Sequence, residues 1–212
     1  LAKCKLVSNF RRELNMKEGL YNRSFNAILQ NGIEIEVNVT RFLSINLDEV
    51  GVINYEVKLL NSDAKIIFNP YVDAGVHNED ANWEEKFWEP ISVENTSNEA
   101  FVTARTFKTH FTATTFMQNT ILINNSAQNI NPIISEKTAD KIAFSYEVSA
   151  NKGQIASIQK IGGYTVSMNH QNTIEAAKNA IQKAVNIGYN QLLDDQKEAW
   201  AKIWEMSDIT ID

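Results

Sequence analysis

Asn31-Gly32-Ile33-Glu34-Ile35-Glu36-Val37-Asn38-Val39-Thr40 alternates apolar and polar residues at every step after its opening turn. Ile33, Ile35, Val37 and Val39 point one way, and Glu34, Glu36, Asn38 and Thr40 the other. Period two with one buried and one wet face is the signature of a strand in a half-covered sheet. Asn31-Gly32 before it is a tight primed-turn signal, so the preceding run Leu20 to Leu29 is its hairpin partner. This stretch fixes the chain as antiparallel β.

Working outward, Cys4 to Met16 reads as a strand that returns through the turn Lys17-Glu18-Gly19, and the central strand runs on to Ser44. Val50 to Leu60 and Ala64 to Phe68 follow, separated by Asn61-Ser62-Asp63. Strand pattern resumes at about Ile91, in Val93–Glu94, Ala100 to Phe107 and a Thr-rich run from Phe111 to Ile123. Asn124-Asn125-Ser126 and Asn129 to Pro132 break the pattern, and Ile142 to Val148 and Ile155 to Met168 complete it. Gly162-Gly163 is expected to interrupt the last strand.

The period then changes. Asn172 with Glu175 forms a capping-box-like start, and Ile174, Ala177, Ile181, Ala184 and Val185 recur at helical spacing up to a stop at Gly188. A second helix carries Leu192, Leu193, Gln196, Trp200, Ile203 and Trp204 along one face. The expected fold is mostly β and antiparallel, with two C-terminal helices, and its sheet needs a second sheet or helices over its apolar face.

At 212 residues, with a net charge of −6 and no basic stripe, the chain is a poor fit to nucleic acid or an anionic membrane. Its single Cys4 forms no internal disulfide, and the Cys and His inventory is too small for a structural zinc site. No apolar run approaches the ~20 residues of a membrane span. The first residue is Leu1, and the expectation is that a true start, with any signal peptide, lies outside the sequence.

Between Phe68 and Ile91 lies a connection far longer than the ~2–5 residues a hairpin needs. It crowds Asp73, Glu79, Asp80, Glu84, Glu85 and Glu89 against Tyr71, Trp83, Phe87 and Trp88. Aromatics at this density have apolar area to bury, which argues against disorder. Trp83, Phe87 and Trp88 are candidate anchors, leaving His77, Asn78, Glu79, Asp80, Asn82 and Glu85 to face a sugar or a partner. A purely structural loop pinned by its own rings fits the residue types equally well.

Asn78, Asp80, Asn82, Glu84 and Glu89 approach calcium-loop spacing, but Trp83 stands where that loop needs Gly, so no metal is assigned. Two carboxyls of suitable separation are all that glycoside chemistry needs, and sequence does not give separation. Of the three histidines, His110 falls in a strand pattern and reads as structural, while His77 and His170 lie apart from it. No nucleophile elbow, phosphate loop or dinucleotide fingerprint is present.

Four stretches carry a resemblance. The loop, with Asn78-Glu79-Asp80-Ala81-Asn82-Trp83 and Glu85-Lys86-Phe87-Trp88, resembles a motif of the maltose and kojibiose phosphorylases of glycoside hydrolase family 65. Leu14-Asn15-Met16-Lys17-Glu18-Gly19-Leu20 with Arg23, Thr40-Arg41-Phe42-Leu43-Ser44, and Trp200-Ala201-Lys202-Ile203-Trp204-Glu205 followed by Ser207-Asp208-Ile209 agree in order and spacing. The resemblance implies an N-terminal β-supersandwich similar to galactose mutarotase over residues 1–170, without its earliest strands. It implies a helical linker over 171–212 that leads to an (α/α)6 barrel. That barrel would hold the catalytic Glu and the inorganic phosphate co-substrate, so no catalytic residue and no cofactor is assigned here. Gln196 departs from the His that many relatives carry.

The implied parent reaction is inverting cleavage of an α-linked glucose disaccharide by phosphate, or by water. Its implied partners are the chain's own barrel and a second subunit in a homodimer, and its expected compartment is the cytoplasm. Two other readings stay open: a free-standing sugar-binding module using Trp83 or Trp88, and a mutarotase-like enzyme with a His/Glu pair drawn from His110 or His170.

Overall fold

The computed structural model describes residues 3–77 and 86–207. The first four strands, β1 (Cys4–Asn15), β2 (Leu20–Leu29), β3 (Glu34–Leu43) and β4 (Val50–Leu59), form an antiparallel meander. Two short strands follow, β5 (Ala64–Phe68) and β6 (Tyr71–Asp73), then β7 (Trp88–Asn95), β8 (Glu99–Thr106) and β9 (Thr112–Ile123). The last strands are β10 (Ser126–Gln128), β11 (Ile133–Lys137), β12 (Lys141–Ala150) and β13 (Ile155–Val166). Two helices follow among the described residues, α1 (Thr173–Ile187) and α2 (Tyr189–Ser207).

Among the described residues, β1-β2-β3-β4-β13-β9-β8-β7 and a flap, β10, make a nine-stranded sheet. A four-stranded sheet faces it, with β12 flanked by β11 on one side and by β5 and β6 on the other. The strand alternation builds the core between them. Val37, Val39, Val57 and Leu59 meet Ile142, Phe144, Tyr146 and Val148 from β12. Burial of each such side chain stabilises the fold by about 1.5–3 kcal/mol.

The opposite face of the large sheet is covered too, by α1 and the start of α2. Phe42, Val52, Phe101, Phe116 and Ile161 pack against Ala177, Ile181, Ala184 and Leu192. The expected wet face of β3 is therefore only partly wet: Phe42 shares it with Glu36 and Asn38 and is buried, its ring tilted against Tyr189. Four buried threonines tie α1 to the sheet. Thr114 Oγ1 lies 2.9 Å from Thr103 Oγ1 and 2.8 Å from Thr173 Oγ1, and Thr165 Oγ1 donates to the Thr173 carbonyl at 2.6 Å.

Helix α1 starts and stops as its sequence directs. The Asn172 side chain accepts from the Glu175 backbone N–H at 3.1 Å, and Gly188 takes φ 81° at the stop.

Three local expectations need correction. Gly162 and Gly163 do not interrupt β13, whose pairing with β4 and β9 continues through both. A side chain at residue 163 would run into the Glu49 carbonyl, so this glycine permits close approach of the β3–β4 loop. The break at Asn124-Asn125 is a hairpin turn with both residues at positive φ, 48° and 64°, which folds β10 back on β9. The long connection after Phe68 is shorter than its sequence suggests, because β6 extends its start and β7 begins at Trp88 rather than Ile91.

Candidate functional site

The acidic connection is held at both ends by side chains the sequence brings there. Entering it, Asp73 Oδ1 accepts from the Gly75 backbone N–H at 2.8 Å, and a side chain at residue 75 would crowd the Asp140 carboxylate. Hydrogen bonding from Thr138, followed by the Lys86 ammonium, holds the Asp140 carboxyl below its usual range. Leaving it, Lys86 pairs with Asp140 at 3.3 Å, and Arg105 grips Glu89 Oε1 with two N–H groups at 2.8 and 2.6 Å.

Trp88, half-buried at the start of β7, packs edge-on against Phe111 with centroids 5.9 Å apart. Phe87 leaves its ring exposed, and its carbonyl makes the tie instead, accepting from Phe107 N–H at 3.1 Å. His77 is exposed in the irregular segment that follows β6. Asn78, Glu79, Asp80, Asn82, Trp83 and Glu85 lie outside the described residues.

A polar cleft of 770 Å³ opens between the β3–β4 loop, the β13–α1 loop and the first turns of α1. Asn46, Asp48, Asn169, Asn179 and Lys183 line it, with a side-chain contact between His170 Nε2 and the Glu49 carboxylate on its wall. His170 thus has the carboxylate partner that an acid/base pair would need, but beside α1 and away from the inter-sheet face. His110 is no strand residue: it sits exposed in the turn between β8 and β9 at φ 53°. Sequence reasoning missed the Glu49–His170 contact because 121 positions separate the two residues.

Between the sheets, an apolar cavity of 540 Å³ runs along Ile35, Ile53, Tyr55, Ile66 and Ile158 and ends at Lys160. Burial pushes the Lys160 ammonium down to about 8, and its Nζ donates to the Tyr71 carbonyl at 2.6 Å.

Helix α2 is fastened to the sandwich by three residues of the face singled out in the sequence. Buried Gln196 accepts from the Ile45 N–H at 3.0 Å and donates to the Gly19 carbonyl at 3.2 Å, so it bridges two loops. Trp204 Nε1 donates to the Met16 carbonyl at 3.0 Å, and its ring stacks on Trp200 with centroids 6.1 Å apart. Beyond this contact Met206 is 83% exposed.

The β1–β2 turn, the end of β3 with the loop after it, and α2 include three of the four stretches that carry the resemblance. Residues 1–203 match the profile of the glycosyl hydrolase family 65 N-terminal domain. The chain belongs to that family. It is 29% identical over 210 residues to a maltose phosphorylase of Bacillus subtilis (strain 168), covering 97% of this chain and 27% of that protein. It is 24% identical over 213 residues to an α,α-trehalose phosphorylase of Thermoanaerobacter brockii, covering 96% of this chain and 27% of that protein.

The fold matches a solved human-microbiome protein assigned as a kojibiose phosphorylase, with a TM-score of 0.82 at 19% identity. That match covers 99% of this chain and 26% of the solved one. The chain therefore spans about a quarter of the length of the relatives it matches. Among the described residues no helix is long and apolar enough to cross a membrane.

Proposed function

We propose that this family 65 N-terminal domain is a non-catalytic part of a cytoplasmic, inverting α-glucoside phosphorylase, with a sandwich over residues 1–170 and a helical arm over 171–212. The observation that carries this reading is the fastening of α2. Gln196 and Trp204 lock its length to the β1–β2 turn and the β3–β4 loop, while Met206 at its far end stays exposed. A helix held this firmly transmits the orientation of the sandwich to whatever follows it. The relatives named as phosphorylases are about four times as long, which supports a further domain as the seat of chemistry.

In this reading the α-linked disaccharide and phosphate meet on that further domain. Inversion at an α-glucoside by phosphate gives a β-configured glucose 1-phosphate, and the general acid belongs to the further domain. The acidic connection between Asp73 and Glu89 frames its entrance or meets a second subunit, because Arg105–Glu89 and Lys86–Asp140 fix its base at the domain surface.

Calorimetric titration of the isolated chain with maltose and with glucose tests the reading against that of a sugar-binding module. Absence of binding heat is expected, since Trp88 is engaged with Phe111 in the sheet. Saturable binding lost in Trp88→Ala would favour the module.

A further inference from the structure

Three arginines stand together on the inner face of the large sheet, the face that carries Phe25 into the core. Arg12 on β1 lies directly opposite Arg23 on β2. Their guanidinium groups sit 5.7 Å and 6.0 Å from the ring centroids of Phe10 and Phe25, which stack on each other at 6.3 Å, so both arginines share that face. Arg41 on β3 is opposite Tyr21, its guanidinium 4.1 Å above the ring. Since Arg23 is opposite Val39, Arg41 is its diagonal neighbour. Directly opposed and diagonal positions are about 5 and 7–8 Å apart at Cβ, within reach of one another for side chains of this length.

This arrangement is unfavourable as it stands. Like charges directly opposite each other on adjacent strands repel. Among the described residues no ion pair includes Arg12, Arg23 or Arg41, although the neighbouring Arg11 pairs with Glu13. Among the described residues the Nε of Arg23 is buried without an acceptor. An unmet charged donor beside two further cations, in a chain of net charge −6, is a place prepared for an anion.

We propose that Arg12, Arg23 and Arg41 form an oxyanion site that takes a phosphate group, free or as a sugar monoester. Each guanidinium is a rigid planar fork that bonds two oxygens at once. A carboxylate is satisfied by one fork. Three forks on three adjacent strands match a tetrahedral dianion, which offers oxygens in several directions. The inference rests on strand register and on the buried, unmet Nε of Arg23, with Arg12 and Arg41 exposed beside it, and not on the reaction proposed above, whose phosphate is placed outside this chain.

Thermal melting and calorimetric titration of the intact protein test it, with inorganic phosphate and glucose 1-phosphate as probes and sulfate-free chloride buffer of equal ionic strength as reference. Arg12→Gln is expected to melt at or above the wild type without phosphate, because the opposed charge is gone. Millimolar phosphate should raise the melting temperature of the wild type and of the Arg11→Gln control alike. In Arg12→Gln and Arg23→Gln the rise should be smaller, with affinity down about tenfold or more, the loss of one charged bidentate contact.

A larger response to glucose 1-phosphate than to phosphate identifies the ester as the natural ligand, and the reverse identifies free phosphate. Equal responses in wild type, Arg12→Gln and Arg23→Gln overturn the proposal. So does a fall in melting temperature of both variants with no phosphate response in the wild type, which would mean that a carboxylate of the protein already fills the site.

Discussion

The indole of Trp200 occupies the space that a side chain on Gly19 would need. Gly19 also holds φ +65°, where L side chains are strained. The turn between β1 and β2 and the helix at the other end of the sequence are thus fitted to each other by the absence of one Cβ. Gly19→Ala is expected to destabilise the protein by about 2–4 kcal/mol, through backbone strain and displacement of Trp200 together. Denaturant unfolding checks this. A loss under about 0.5 kcal/mol, the scale of an unconstrained surface change, would show that α2 is not seated on the turn.

Trp200→Ala and Trp204→Ala are expected to cost about 1–3 kcal/mol each, below the ~3–5 of a fully buried aromatic, because both rings are only half-buried. Their effects should not add, since the rings stack on each other. A double-mutant cycle read by urea unfolding measures the coupling.

The strand framework was legible because alternation needs only local pattern, as in Ile33 to Thr40, and the caps of α1 were legible for the same reason. What covers a face is not local. Phe42 reads as part of a wet face until α1 and Tyr189, far along the chain, are laid over it. Gly162-Gly163 looks like a breaker, and only the approach of the Glu49 carbonyl shows why glycine is there. β11 escapes notice because it is a short edge strand with every residue exposed, so burial leaves no pattern in it. The candidate loop was visible from composition, whereas Glu49–His170 and the Arg12–Arg23 opposition arise from loop packing and strand register.

Thr114→Val should cost about 1–3 kcal/mol, although it keeps the shape of the side chain. It removes the hydroxyl that links Thr103 to Thr173, leaving buried groups without that partner. Thermal melting reads the loss, and Thr103→Val in the same background should recover part of it.

Lys160 gives the protein a pH dependence of unusual sign. Its folded-state value near 8 lies below the 10.5 of the unfolded chain, so between these the unfolded state holds more protons. Stability from this group therefore rises with pH through that window, and its full cost is present below pH ~8. The melting temperature of wild type minus that of Lys160→Met should increase from pH 8 to pH 10. A flat difference would show that the ammonium is hydrated rather than held against the cavity.

The proposed division of labour, a sandwich that supports and a further domain that reacts, is tested most directly by phosphate-dependent release of glucose 1-phosphate from maltose, kojibiose and trehalose. The measurement compares the 212-residue chain with the protein carried on to the natural end of its reading frame. No product above background is expected from the chain alone, and product is expected from the extended protein with one of the three sugars. Product from the chain alone, abolished by Glu49→Gln at the cleft, would contradict that division of labour.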